Sequence, residues 1–200
     1  ILVDHQSGNV LAEVKSDERM EPASITKLMT AYVVYKALKS GKIHLNDQVT
    51  ISEKAWRTSG SKMFIKLGTQ VSVDDLLRGM VVQSGNDATV ALAEHVAGSE
   101  ETFAKLMNQE AERLGLKNSH FTNAPGMPDP NHYMSARDIA TLARALIRDF
   151  PDQYPRYAER SFKYNNIEQQ NRNRLLLTDP SVDGVKTGHT ESAGYCLVSS

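Results

Sequence analysis

The 200-residue chain lacks the features that mark several functional classes. It has one cysteine, Cys196, which rules out an internal disulfide and any cysteine-based metal cluster. Within a strand-like run that residue reads as a small apolar filler. With 23 Lys+Arg against 24 Asp+Glu, the net charge is -1, so there is no electrostatic basis for binding nucleic acid or an anionic membrane surface. No apolar run approaches the ~20 residues that cross a bilayer. His5, His44, His95, His120, His132 and His189 are scattered singly, so neither a metal site nor a cofactor is expected. There is no Gly-x-Ser-x-Gly nucleophile elbow, no internal repeat and no disordered linker. The rest is ordinary globular composition, 40% hydrophobic and 24% charged, enough for one large domain or two intimately packed lobes.

The strongest positive signal is Pro22-Ala-Ser-Ile-Thr-Lys27, which opens a helix whose apolar residues run through Leu28, Met29, Tyr32, Val33, Tyr35 and Leu38. Residues three apart share a helix face, so Ser24 and Lys27 point into one space. A serine hydroxyl needs a base to become nucleophilic, and lysine can act as one only when neutral. Burial and the positive end of a helix dipole both favour the neutral amine. The same helix start offers N–H groups to an oxyanion.

Ser-x-x-Lys is a weak motif alone, and Ser59-Gly-Ser-Lys62 repeats it in a glycine- and serine-rich stretch without helical period. Two further patterns supply context. Ser84-Gly-Asn86 lies between two predicted buried helices, where the Ser84 hydroxyl can relay a proton and the Asn86 amide can donate to a substrate backbone. Lys186-Thr-Gly188 follows a strand: Lys186 and Thr187 present a cation and a hydroxyl to a carboxylate, and Gly188 removes a side chain where a ligand must approach. The N–H of His189 would complete an oxyanion hole with that of Ser24. Second copies at Ser7-Gly-Asn9 and Lys39-Ser-Gly41 are explained by turn and helix-end chemistry.

The remaining pattern alternates strand and helix signals. Ile1–Asp4 and Val10–Val14 flank a hairpin turn. A helix runs from about Ser24 to Gly41, Val49–Ser52 and Met63–Leu67 read as strands in a loop-rich stretch, and Trp56 there reads as core. Capped helices follow, over Leu76–Val82 behind Ser72, over Ala88–Ala97, behind Ser99 and behind Ser135. Asn118–Tyr133, with Pro125, Gly126, Pro128 and Pro130, must be irregular. Ser161–Tyr164 and Ile167–Gln170 form a hairpin about Asn165-Asn166, and Val182–Gly188 and Tyr195–Ser199 are further strands. Strands at both ends with helices between predict an α/β (α+β) fold: one antiparallel sheet built from both chain ends and an inserted all-helical lobe. The sheet lobe is expected at about 1–23 and 160–200, the helical lobe at about 24–159. The chain begins directly in a strand with no signal peptide before it and stops in another, so a piece of a longer chain is expected.

Together these motifs resemble those of penicillin-binding proteins and class A β-lactamases. Longer matches at Glu21–Thr30, Gln83–Ala88, Met134–Asp138 and Val182–Thr190 are similar to the low-molecular-mass D-alanyl-D-alanine carboxypeptidases of the penicillin-binding protein 5 group. The resemblance implies a transpeptidase-like fold and a periplasmic serine DD-carboxypeptidase that trims peptidoglycan pentapeptide stems and is acylated by β-lactams. It implies Ser24 as nucleophile, Lys27 as base, Ser84 and Asn86 as relay and substrate contact, and Lys186, Thr187, Gly188 and His189 as the substrate-binding strand. Arg172 matches an arginine near the active site. Relative to the family, Arg57–Lys62 is a shortened loop. The family's further strand, C-terminal helix, β-rich domain and inner-membrane anchor have no counterpart in these residues. DD-endopeptidase, β-lactamase and a non-catalytic penicillin-binding relative are the alternatives. β-Lactamase is disfavoured because the second motif lacks the aspartate and the Pro-rich loop lacks a glutamate.

Overall fold

A computed structural model describes residues 1–200. Its centre is α1 (Lys27–Lys39), a helix apolar on nearly all sides whose Leu28, Met29, Ala31, Tyr32, Val34 and Tyr35 are buried. A helix without a polar face must be enclosed. Here α4 (Asn86–Ala97), α5 (Glu100–Leu114) and α6 (Ala136–Asp149) enclose it, and α3 (Val73–Val81) packs against α4. Three of these helices start as the sequence predicts: the hydroxyls of Ser72, Ser99 and Ser135 accept from the N–H three residues on. Gly98 and Gly115 end α4 and α5 in left-handed conformation.

The strands pair as four antiparallel hairpins. These are β1 (Leu2–Val3) with β2 (Val10–Ala12), β3 (Gln48–Thr50) with β4 (Gln70–Ser72), β5 (Ser161–Tyr164) with β6 (Ile167–Gln170), and β7 (Val185–Thr190) with β8 (Gly194–Ser199). Asn165 and Asn166 both have positive φ, as a two-residue hairpin turn requires. The mixed antiparallel and helical class stands, but strands from the two chain ends form separate ladders rather than the expected single sheet. The reason lies in their partners: β1–β2 is tied to α6 by the Arg144 guanidinium on the His5 carbonyl, and β7 packs beside the Ala23–Thr26 turn.

Four further expectations change. The turn before α1 is a 3-10 helix over Ala23–Thr26, so α-helix proper begins at Lys27. Met63–Leu67 is not a strand, because its first N–H groups go to the Asp87 carboxylate instead of a ladder. Trp56 is 41% exposed, because it sits on the short helix α2 (Glu53–Arg57), which buries only Ala55. The strand expected from Val182 begins at Val185.

Candidate active site

The 3-10 turn places Ser24 and Lys27 on one edge, since side chains three apart eclipse in that geometry. Lys27 Nζ is buried, 2.9 Å from Ser24 Oγ, 2.7 Å from Asn86 Oδ1 and 2.9 Å from the Pro125 carbonyl oxygen. Burial first, then the charges of Lys186 and Arg172, hold its pKa well below the usual lysine value, against a smaller opposing pull from Asp87. In its neutral form, which this shift favours, the amine has two N–H bonds and one lone pair. Asn86 Oδ1 and the Pro125 carbonyl are acceptors only, so they take the two N–H bonds. The lone pair is left facing Ser24 Oγ, the one neighbour able to donate.

Ser84, also buried, has φ +64 in the loop before α4. That left-handed conformation costs a non-glycine residue about 1–2 kcal/mol and is found where geometry is imposed for function. Its Oγ accepts from Lys186 Nζ at 2.9 Å, and the same amine donates to the Thr187 carbonyl at 2.9 Å. Lys186 is buried as well, its pKa pulled down to about 7 by burial and then by Arg172. The two lysines therefore meet the two serines in pairs, Lys27 with Ser24 and Lys186 with Ser84.

Gly188 explains itself. A Cβ there would lie 3.2 Å from Ser24 N, 3.3 Å from Ile25 N and 3.3 Å from the Pro22 carbonyl oxygen. Strand β7 thus runs hard against the turn that carries Ser24. His189 and Thr187 line the same cleft, and the His189 ring lies against Tyr195, centroids 4.3 Å apart. Arg172 is no free surface charge: its guanidinium donates to the Gln83 carbonyl at 3.1 Å and to Ser61 Oγ at 3.0 Å. The Asn86 amide differs from expectation. Its oxygen accepts from Lys27, and its NH₂ group donates to the Ser59 carbonyl at 2.8 Å, so the shortened loop holds the group expected to face substrate.

These residues, with Lys27 and Lys186 beneath, border one cleft of about 1490 Å³ that runs from Ser24 past Arg172 to Arg174, Leu177 and Leu197. A smaller cavity of about 420 Å³ at the C-terminal end of α1, beside Tyr35 and Phe150, has no serine, threonine or cysteine on its wall. No group of three or more His, Cys, Asp or Glu side chains is placed to hold a metal ion.

Two contributors escaped the sequence. The Pro125 carbonyl carried no signal, since every residue has one. Asp87 did carry a signal, a carboxylate within an apolar helical run. It accepts from the N–H groups of Met63, Phe64 and Ala88 at 2.9–3.0 Å and fixes the loop that backs Asn86.

The whole chain, residues 1–200, matches the family model described as Peptidase_S11, D-alanyl-D-alanine carboxypeptidase. It is 53% identical over 204 residues to the D-alanyl-D-alanine carboxypeptidase DacA of Haemophilus influenzae, covering 100% of this chain and 52% of that protein. The structure superposes on penicillin binding protein 5 of Haemophilus influenzae with TM-score 0.96 at 53% identity, over 98% of this chain and 58% of the other. Penicillin-Binding Protein D2 from Listeria monocytogenes in its ampicillin-bound form gives TM-score 0.88 at 28% identity, over 98% and 81%. The chain spans about half the length of the curated relatives it matches. Motif order, fold and the match over residues 1–200 agree, and the chain belongs to the peptidase S11 family of D-alanyl-D-alanine carboxypeptidases.

Proposed function

We propose that this chain carries the catalytic centre of a serine DD-carboxypeptidase that removes the terminal D-alanine from peptidoglycan pentapeptide stems. The lone pair of a buried, neutral Lys27 facing Ser24 Oγ carries this reading. Ser24 Oγ attacks the carbonyl carbon of the penultimate D-alanine while its proton passes to Lys27 Nζ. The N–H groups of Ser24 and His189 receive the oxyanion. Collapse breaks the amide bond, Ser84 relays a proton to the leaving amine, and D-alanine departs from a Ser24 ester. Water then attacks the ester with Lys27 again as base.

Lys186 and Thr187 bind the substrate carboxylate. An arriving anion draws Lys186, poised near neutrality, into its ammonium form. Gly188 leaves room for the substrate backbone, Asn86 orients Lys27 while its NH₂ group stays on the Ser59 carbonyl, and Arg172 braces the far wall. The chemistry needs no metal or cofactor. β-Lactams acylate the same serine, as the ampicillin-bound relative suggests. The substrate places the enzyme in the periplasm. No helix of this chain is long and apolar enough to cross a membrane, and inner-membrane anchoring rests on the family resemblance. The two lobes, about 24–159 and about 1–23 with 160–200, are proposed to supply the two walls of the cleft.

Intact-protein mass spectrometry after brief exposure to benzylpenicillin tests this. One stoichiometric adduct is expected on the parent and none on Ser24→Ala, together with D-alanine release from an acyl-D-alanyl-D-alanine peptide by the parent alone. Adduct formation on Ser24→Ala, or a parent without adduct, overturns the assignment.

A further inference from the structure

His132 is buried, yet the steps above do not use it. It closes the base of the Pro-rich loop that delivers the Pro125 carbonyl to Lys27. Its Nδ1 lies 3.1 Å from the Thr122 backbone N–H, which can only donate, so Nδ1 is the unprotonated nitrogen. Nε2 therefore carries the ring hydrogen and donates to Thr26 Oγ1, 2.8 Å away. An imidazolium would set two hydrogens against each other at Nδ1. Burial pushes the same way, taking the ring down to about 4.

Thr26 is fully buried and belongs to the 3-10 turn, between Ser24 and Lys27. The loop touches this region at three further points. The Thr30 hydroxyl donates to the Ala124 carbonyl at 2.7 Å, Lys27 donates to the Pro125 carbonyl, and a Cβ on Gly126 would fall 1.9 Å from the Ala23 carbonyl oxygen. His132 is the side chain that spans both partners, loop base and catalytic turn.

We propose that His132 is a positioning residue for the base: as a neutral, Nε2-protonated ring it pins the Pro-rich loop to the catalytic turn through Thr26. This fixes the Pro125 carbonyl on one Lys27 N–H and leaves the lone pair for Ser24. The inference rests on Lys27 being the base. Removing the pin frees the loop, admits water to Lys27 and weakens the burial that keeps it neutral. The acid limb of acylation then moves to higher pH.

The test measures the second-order rate constant for benzylpenicillin acylation against pH in the parent, His132→Leu, His132→Gln, Thr26→Val and Lys27→Ala, beside thermal melts. His132→Leu and Thr26→Val are expected to acylate roughly tenfold or more slowly near neutral pH, with the acid limb displaced upward. His132→Gln keeps one donor and one acceptor and should recover most of the rate and the limb. Nitrogen-15 NMR of the parent should show a neutral, Nε2-protonated ring persisting well below the ordinary imidazole range. If folded His132→Leu or Thr26→Val keeps the parental rate and limb, or if the ring is Nδ1-protonated, the positioning role is wrong. Should His132→Leu not fold, Thr26→Val and His132→Gln still decide. Parental acylation by Lys27→Ala would instead overturn the base assignment itself, so the two failures are distinguishable.

Discussion

Replacing Gly188 tests how closely β7, the proposed substrate strand, is set against Ser24, the proposed nucleophile. Gly188 has an ordinary negative φ, so alanine there carries no backbone penalty and the effect is purely steric. Its Cβ would meet three backbone atoms of the catalytic turn at 3.2, 3.3 and 3.3 Å, against 3.4 Å or more in ordinary contact. Backbone on both sides cannot rotate away, so β7 and the turn must separate by roughly 0.2–0.4 Å. Catalytic geometry loses about a hundredfold per ångström of misplacement, which scales to roughly a 2.5-fold to 6-fold loss in acylation rate. Gly188→Val adds two methyl groups and should approach a hundredfold. The assay is the second-order acylation rate constant by quenched mass spectrometry, with thermal melts to show that both variants remain folded. Folded Ala and Val variants that both acylate within twofold of the parent would refute the claim that this contact sets the site.

The Lys186 shift predicts an unusual pH dependence of stability. The folded group titrates near 7 and the unfolded one near 10.5, so between those values the unfolded chain binds more protons, and stability rises with pH. Urea unfolding near neutral pH and near pH 9 should show the parent gaining stability relative to Lys186→Met, and equal pH responses would disprove the buried neutral amine. Asp87→Asn sets an amide nitrogen against N–H groups now bound by carboxylate oxygen, and should cost about 2–4 kcal/mol in urea unfolding. A loss below about 1 kcal/mol would mean that Asp87 is not what holds residues 63–65 in place.

Local signals in the sequence hold where the physics is local. Serine caps and the Asn165-Asn166 turn depend on a few adjacent residues, and they sit where predicted. The spacing of Ser24 and Lys27 also survives the change from α to 3-10 geometry, because positions three apart converge in either helix. Met63–Leu67 failed for the opposite reason: it reads as a strand alone, but the Asp87 carboxylate, 22–24 residues on, claims its N–H groups.

The sequence by itself determined which groups are candidates for the proposed chemistry, Ser24, Lys27, Ser84, Asn86 and Lys186, and the order in which they occur. Tertiary structure alone decided which partners they meet. It set the Pro125 carbonyl on Lys27, turned the Asn86 NH₂ group to Ser59, drew both lysines toward neutrality and brought β7 against the catalytic turn. Those outcomes depend on burial and on backbone atoms distant in the chain. Neither quantity is written in the identity of any single residue.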